Sequence, residues 1–244
     1  MPTGRDALAD VEQQTAPQPK KNADLPVRLA SAIAMLALAG GALWMGGQWL
    51  DLFILVVVLA TLVELVLLVV KATTNIPYRL GAILAGTIYV GLAGIFLSRF
   101  PVAIVIGVVG AVICVDTFAY FFGRTLGGPK IAPRISQSKT WAGLLGGIIG
   151  ATAWVAAWIY TIARATSGDT TMPFDGMEML QILAIGTAVA VAAQAGDFFE
   201  SWLKRKAGVK DSSRIIPGHG GVFDRTDGLI PVVLLAGGML GAAV

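Results

Sequence analysis

Basic, acidic and glycine residues alternate in a polar stretch that separates two long apolar runs. The stretch covers residues 200–228. Its residues that could bind a ligand or take part in a reaction are Ser201, Lys204, Arg205, Lys210, Asp211, Arg214, His219, Gly220, Gly221, Asp224, Arg225 and Asp227. Cations set side by side can neutralise several phosphate charges, which two reacting phosphate groups require before they approach each other. Glycines allow the backbone to come close to such a ligand. The pattern therefore predicts a site for phosphate chemistry.

Four aspartates lie at or beside the ends of apolar runs, namely Asp116, Asp197, Asp224 and Asp227. An ionised Asp inside a bilayer costs on the order of 3 kcal/mol, so such side chains usually face a cavity, a partner or a metal ion. Mg²⁺ binds one or two carboxylates together with phosphate oxygens and water. We expect Asp197 and Asp224 to be metal ligands. Asp116 and Asp227 either extend that coordination or hold basic side chains, and pairing with Lys or Arg for insertion alone stays open.

The rest of the chain is too apolar for a soluble domain, because 56% of its 244 residues are hydrophobic and only 14% are charged. Runs of about 20 apolar residues are long enough to cross a bilayer as helices, whose backbone groups pair internally. We predict an all-α polytopic membrane protein with about seven transmembrane helices, six to nine being compatible, and two functional cytoplasmic loops at residues 123–140 and 200–228. The predicted spans are Leu29–Gly47, Leu52–Val70, Leu80–Leu97, Val102–Phe122, Trp141–Ile162, Leu180–Asp197 and Leu229–Val244.

The distribution of basic residues predicts the orientation of these spans. With a cytoplasmic N-terminus, seven spans place all but Arg99 and Arg164 of the 18 Lys and Arg residues on the cytoplasmic side. The same distribution accounts for the net charge of +3, so we expect no nucleic-acid partner. We predict a disordered cytoplasmic tail over residues 1–26 and a single transmembrane catalytic domain over residues 27–244. The outward connection near Asp169 is acidic, as the opposite side would allow.

The polar stretch at residues 200–228 resembles the signature of the phosphatidate cytidylyltransferase family. That signature has a Ser, a Lys-Arg pair, a Lys-Asp pair, a Pro, a His-Gly-Gly and an Asp-Arg-x-Asp. Here these positions are Ser201, Lys204, Arg205, Lys210, Asp211, Pro217, His219, Gly220, Gly221, Asp224, Arg225 and Asp227. An upstream block is also similar, running from Asp116 through Arg124 and Lys139 to Gly143. Ala142 departs from the Glu or Gln found there in relatives, so a polar group is missing at that position.

The resemblance implies an enzyme of the bacterial inner membrane that makes CDP-diacylglycerol and pyrophosphate from CTP and phosphatidic acid. It implies Mg²⁺ as cofactor, and it leaves a second, monovalent ion and a homodimer open. The catalytic residues would be Lys204, Lys210, Asp211, His219, Arg225 and Asp227. The substrate-binding residues would be Asp116, Arg124, Lys139, Ser201, Arg205, Gly220 and Gly221. Asp197 and Asp224 would hold the metal, in agreement with the expectation above.

Two other functions remain open on the sequence. The first is a CTP-dependent kinase of polyprenols or phytol, which would have to activate a neutral hydroxyl group. The second is a transporter whose charged loops bind lipid headgroups without chemistry. A P-loop, a nucleophile elbow and a zinc cluster are not present in the sequence. Glu64, a lone acid inside the second predicted span, is expected to form a hydrogen bond within the bundle, and any further role stays open.

Overall fold

The computed structural model of the protein describes residues 25–167 and 175–241. Within these ranges the chain forms helices and no strand, apart from two isolated β-bridges in the polar stretches. The helices are α1 (Leu25–Met45), α2 (Gly47–Ala72), α3 (Ile76–Arg99), α4 (Val102–Thr125), α5 (Trp141–Ser167), α6 (Gly176–Lys206), α7 (Phe223–Thr226) and α8 (Leu229–Gly241). Helices α1 to α6 are each long and apolar enough to cross a membrane. The prediction of an all-α polytopic membrane protein is confirmed.

All seven predicted spans coincide with helices, but the last one is short. Helix α8 has 13 residues in the described part of the chain, which is about 20 Å at 1.5 Å per residue and less than the hydrocarbon thickness. Residues 1–24 of the predicted tail, the outward connection at residues 168–174 and residues 242–244 lie outside the described ranges.

The predicted end of the sixth span at Asp197 is wrong, because α6 continues to Lys206. Residues 198–206 contain no Gly or Pro, and their basic residues lie in the last turn, where the helix dipole favours positive charge. The helix stops where Gly208 takes a positive φ of 68°, a conformation that suits glycine after a helix end. Ser201, Lys204 and Arg205 therefore lie on a helix and not in a loop.

Successive helices run antiparallel, which places alternate helix ends together. Gly123 near the end of α4 lies beside Gly143 near the start of α5, and Gly107 at the other end of α4 lies beside Trp158. The end of α2, the start of α3 and the end of α6 lie together, because they contribute Thr73, Tyr78 and Lys206 to one groove. We call this side of the bundle the basic end. Arg99 and Arg164 are in the last turns of α3 and α5, at the opposite end.

Glycines on α5 allow an unusually close approach to α4. A β-carbon at Gly146 would lie 2.7 Å from the carbonyl oxygen of Phe118, and one at Gly150 would lie 2.8 Å from that of Cys114. Small residues that repeat along a helix face bring backbones together in this way in membranes, where packing and not the hydrophobic effect drives helix association. This contact fixes the position of the first polar stretch, which connects α4 to α5.

The glycine contact predicts a loss of stability in Gly146→Ala. The added methyl group would force α4 and α5 apart, and we expect a loss of about 1–3 kcal/mol of unfolding free energy. Thermal unfolding in detergent measures the effect. Gly91→Ala on α3 is the control, because a β-carbon there would meet no atom within 4 Å. Equal unfolding midpoints for the two variants would show that the close approach is not required.

Candidate active site

One face of α6 carries two acidic side chains and then a basic one towards the second polar stretch. Asp197, Glu200 and Lys204 are spaced by three and four residues, which places them on the same side of the helix. The Lys204 ammonium nitrogen lies 2.5 Å from Oε2 of Glu200 and 2.6 Å from Oδ1 of Asp224 on α7. Lys139, from the first polar stretch, forms an ion pair with Asp197. Both polar stretches therefore meet at α6.

Asp224 is held by four donors. Oδ1 accepts from Lys204, while Oδ2 accepts from the backbone N–H of Ser212 (2.9 Å), the hydroxyl of Ser212 (2.9 Å) and the backbone N–H of Gly221 (2.8 Å). Burial acts to raise the pKa of Asp224, but the contacts with Glu200, Lys204 and the two amides outweigh it and hold the pKa below its usual range. Asp224 is therefore a carboxylate at neutral pH, and it shapes the loop around itself.

Asp227 has the opposite electrostatic environment. Burial, together with the nearby carboxyl groups of Asp197 and Glu200, raises the pKa of Asp227 to about 9. Without a bound cation, Asp227 therefore carries a proton at neutral pH. For Lys139, burial acts to lower the pKa, but the carboxyl groups of Asp197, Asp116 and Asp227 outweigh it and the pKa is raised.

Four acidic side chains lie together at this junction and could receive a cation. We call them the carboxyl cluster: Asp197, Glu200, Asp224 and Asp227. Glu200 is 1% exposed, yet its Oε1 has no hydrogen-bond partner. An unpaired carboxyl oxygen beside other carboxyl groups is suited to bind a cation. In the part of the chain that is described, no three acidic, His or Cys side chains are already arranged around a metal position. Mg²⁺ usually takes only one or two carboxylates, so this arrangement is compatible with it.

The two predicted metal ligands lie at the same end of the bundle. Asp197 is one turn from Glu200 on α6, and Glu200 shares Lys204 with Asp224. Glu200 itself was not among the predicted site residues. Its spacing from Asp197 and Lys204 was the available signal, but it was obscured because the sixth span was predicted to end at Asp197.

Glu64 on α2 connects the bundle to the glycine-rich loop. Its carboxyl group is fully buried and accepts four hydrogen bonds, which confirms the expected role within the bundle. The donors are the hydroxyl of Ser212 (2.8 Å), the hydroxyl of Ser213 (2.6 Å), the backbone N–H of Val222 (3.0 Å) and the backbone N–H of Phe223 (2.8 Å). Glu64 thus fixes both ends of the loop at residues 212–223, which we call the glycine loop.

Close packing around Glu64 also explains Gly221. A β-carbon there would lie 2.0 Å from the Ser212 hydroxyl and 2.4 Å from Oε2 of Glu64. Gly220, the neighbouring residue, has a φ of 86°, which favours glycine. The predicted pair of loop glycines is therefore needed for space at one position and for backbone conformation at the other.

His219 lies at the tip of the glycine loop and contacts α1. Its Nδ1 is 2.8 Å from the hydroxyl of Ser31, and its carbonyl oxygen accepts a 2.9 Å hydrogen bond from Arg225. Ser201 is half-buried, whereas Arg205, Lys210 and Asp211 are exposed at the basic end. Of the predicted catalytic residues, Asp227 belongs to the carboxyl cluster and Lys204 contacts it, as does Lys139, which was predicted to bind substrate. The other predicted catalytic residues are exposed, namely Lys210, Asp211 and Arg225, or half-buried, as His219 is.

A polar cavity of about 440 Å³ opens beside the carboxyl cluster. It is bounded by α4, the first polar stretch and α6, and its charged members are Asp116, Arg124, Lys130 and Lys139. Arg124 donates a 2.6 Å hydrogen bond to the Tyr120 hydroxyl, and Asp116 lies near enough to Asp197 and Lys139 to interact with their charges. The three residues predicted to bind substrate from the upstream block, Asp116, Arg124 and Lys139, therefore share one cavity.

Comparison with known proteins fits this geometry. Residues 88–241, which is more than half of the chain, match the model of the cytidylyltransferase family. The chain belongs to the cytidylyltransferase family. Proteins named phosphatidate cytidylyltransferase are similar to it: one from Brucella abortus (strain 2308) is 39% identical over 157 residues, covering 62% of this chain and 54% of its own length. The protein from Rickettsia bellii is 39% identical over 128 residues, covering 51% of this chain and 53% of its own length. The protein from Haemophilus influenzae is 41% identical over 118 residues, covering 48% of this chain and 38% of its own length.

The chain spans about half the length of the curated relatives it matches. The matched region contains both polar stretches and α4 to α8, but it begins after α2. Glu64 therefore lies outside the region that defines the family, even though it holds the glycine loop inside that region.

The four hydrogen bonds predict that Glu64→Gln destabilises the protein. The NH₂ group of the glutamine would face the backbone N–H of Val222 or of Phe223, so at least one buried N–H would lose its acceptor. We expect a loss of about 2–4 kcal/mol in unfolding free energy. Thermal unfolding in detergent and hydrogen exchange at residues 212–223 measure the effect. Asp51→Asn makes the same chemical change on the same helix at an exposed position and should leave both readouts unchanged. Unaltered exchange in the Glu64 variant would contradict the anchoring role.

Proposed function

We propose that this cytidylyltransferase transfers CMP from CTP to phosphatidic acid, giving CDP-diacylglycerol and pyrophosphate. The single observation that carries the proposal is the junction at α6, where carboxyl groups, two lysines and the glycine loop meet between a polar cavity and an apolar groove. Such a junction suits a reaction between a charged, water-soluble substrate and a lipid. The names of the similar proteins support the same conclusion.

The apolar groove is the feature that fits a lipid. It has a volume of about 800 Å³, lies between α2, α3, α6 and α8, and is lined almost entirely by apolar side chains such as Leu65, Val69 and Phe199. Gly196 lines this groove and packs against the backbone carbonyl of Asp227. An acyl chain in the groove would therefore place its phosphate headgroup beside the carboxyl cluster.

The chemistry requires charge neutralisation more than proton transfer. A phosphate monoester has a second pKa near 6, so the headgroup is largely dianionic at neutral pH and can attack without a strong base. Its oxygen forms a bond to the α-phosphorus of CTP, and the bond from that phosphorus to the bridging oxygen of the β-phosphate breaks, so that the electron pair leaves with pyrophosphate. Lys139 and Lys204, which lie on either side of the carboxyl cluster, would bind phosphate oxygens.

We propose that Mg²⁺ binds at the same junction. Asp197 and Asp224 would hold it, with the free Oε1 of Glu200 nearby. A bound Mg²⁺ would supply additional positive charge for the phosphate oxygens. The glycine loop positions the protein's own groups, because the N–H of Gly221 and the hydroxyl of Ser212 keep Asp224 in place.

The basic residues and the proposed substrates both favour one orientation of the protein in the membrane. Of the Lys and Arg residues in the described ranges, all but Arg99 and Arg164 lie towards the basic end, and this distribution favours the cytoplasmic side for that end. CTP is a cytoplasmic nucleotide, so the polar cavity would open towards its supply. We therefore propose that the protein resides in the bacterial inner membrane with both polar stretches facing the cytoplasm.

The proposal predicts that purified protein converts labelled CTP and phosphatidic acid into CDP-diacylglycerol, with activity lost in EDTA and restored by Mg²⁺. Asp197→Asn should lower the rate about a hundredfold or more, because a proposed Mg²⁺ ligand is removed. Asp224→Asn should lower both the rate and the unfolding temperature, since an NH₂ group replaces one of the two oxygens that accept from the four donors and the charge that pairs with Lys204 is lost. Asp51→Asn is the control and should match the wild type.

The products distinguish the other functions. A lipid monophosphate formed from a polyprenol or phytol would identify a kinase, and solute flux in proteoliposomes without pyrophosphate release would identify a transporter. Full activity of Asp197→Asn at limiting Mg²⁺ would remove that carboxylate from the proposed metal site.

The groove predicts that Ala85→Phe impairs the use of long-chain lipid. Ala85 lines the groove, so a phenyl ring would occupy the volume assigned to an acyl chain. We expect the KM for dioleoyl phosphatidic acid to rise about tenfold, with a smaller effect on the dihexanoyl lipid. Leu84→Phe, at the adjacent exposed position that does not line the groove, is the control. Equal KM changes for both chain lengths would show that the acyl chain lies elsewhere.

A further inference from the structure

Gln194 is a buried amide side chain that lines the polar cavity. It lies on α6 one turn before Asp197 and is 4% exposed. Neither its Oε1 nor its Nε2 has a hydrogen-bond partner. A buried polar atom without a partner costs about 1–3 kcal/mol, and this side chain leaves both of its polar atoms unpaired. A residue of this kind is expected where a ligand supplies the missing partners.

The other unpartnered buried atoms in the described ranges do not share this setting. Oε1 of Glu200 belongs to the carboxyl cluster, where a cation accounts for it. The hydroxyl of Thr152 packs against Gly186 and does not line the polar cavity. Gln194 is therefore the amide that the cavity presents to whatever enters it.

The cavity joins this uncharged amide to a basic rim. Arg124, Lys130 and Lys139 line the same space, and Lys139 reaches across to Asp197. A ligand that matches the whole cavity has several negative charges at one part and a neutral, hydrogen-bonding group at another. A nucleoside triphosphate has this division, and at about 440 Å³ the cavity lies within the usual range for small-molecule sites.

The amide also matches one edge of a pyrimidine base. Cytosine presents an exocyclic amine, which donates, next to a ring nitrogen, which accepts. A side-chain amide offers one acceptor and two donors in the complementary arrangement. We propose that Gln194 binds the base of CTP through these two hydrogen bonds. This assignment rests on the proposed function and adds a base-recognition residue to it.

The position of Gln194 on α6 suits this role. Three residues of helix separate it from Asp197, a rise of about 4.5 Å along the axis. The base and the α-phosphate of one nucleotide would then contact the same face of one helix. Gly147 of α5 lies beside the amide, since a β-carbon at that position would be at van der Waals distance, 3.7 Å, from Nε2 of Gln194.

The test compares Gln194→Met with the wild type in the CDP-diacylglycerol assay. Methionine has a similar length and no hydrogen-bonding amide, so the base would lose two partners. We expect the KM for CTP to rise by about ten- to a hundredfold, whereas kcat changes less. Inhibition by pyrophosphate, which has no base, should be unchanged. Gln194→Glu keeps an acceptor and loses the donors, so its KM should also rise.

Thr152→Val is the matched control, because it removes a buried, unpartnered hydroxyl outside the cavity. Its KM for CTP should equal that of the wild type. Thermal unfolding should show that Gln194→Met is as stable as the wild type or more so, since an unpaired amide contributes no stability. An unfolded Gln194→Met protein would overturn the assignment, as it would reveal a structural role for the amide.

The wild-type arm separates this inference from the function on which it rests. A wild-type protein that forms no CDP-diacylglycerol would refute the proposed function itself. An active wild type together with an unchanged KM for CTP in Gln194→Met would refute only the base contact. A parallel weakening of pyrophosphate inhibition would also count against it, because the change would then act on the phosphate end of the cavity.

Discussion

Charge compensation within a largely apolar bundle is the constraint on which the other features of this structure depend. Acidic side chains gathered at one end of a membrane protein are costly to desolvate unless each is matched by a cation, a donor or a proton. All three solutions occur within a few residues. Lys139 and Lys204 neutralise carboxyl groups on α6 and α7, amides and hydroxyls surround Asp224, and Asp227 retains a proton. The resulting cluster is held together, but it still contains an unpaired oxygen on Glu200.

The glycine loop is an extension of the same network. The Ser212 hydroxyl lies within hydrogen-bond distance of both Glu64 and Asp224 and shares its single proton between them, so the two carboxyl groups are linked through one side chain. Asp224 then connects to α6 through Lys204. A helix early in the chain, a loop and a later helix thus share one hydrogen-bonded unit. Because such networks are stronger when complete, the loop geometry depends on residues that are far apart in sequence.

Much of this architecture could be predicted from the sequence. The apolar runs gave the helices within a few residues, and the spacing of Lys204, Asp224 and Asp227 indicated a cationic site containing carboxyl groups. The end of α6 was misplaced because apolarity stops at Asp197 while helix propensity continues to Lys206. Glu200 was overlooked for the same reason. The partners of Glu64 could not be predicted, because its four donors are contributed by residues about 150 positions later, and local patterns carry no information on such contacts.

The position of Glu64 on a helix that crosses the bilayer has a mechanical consequence. Spanning helices tilt when the surrounding hydrocarbon layer becomes thicker or thinner. Any tilt of α2 would move the Glu64 carboxyl group, which accepts hydrogen bonds from the glycine loop. Lys204, which binds Asp224 of the same region, lies on a different helix, α6. The alignment of these two helices thereby couples the geometry around Asp224 to the thickness of the lipid layer, which is itself set by the chain length of the phospholipids that surround the protein.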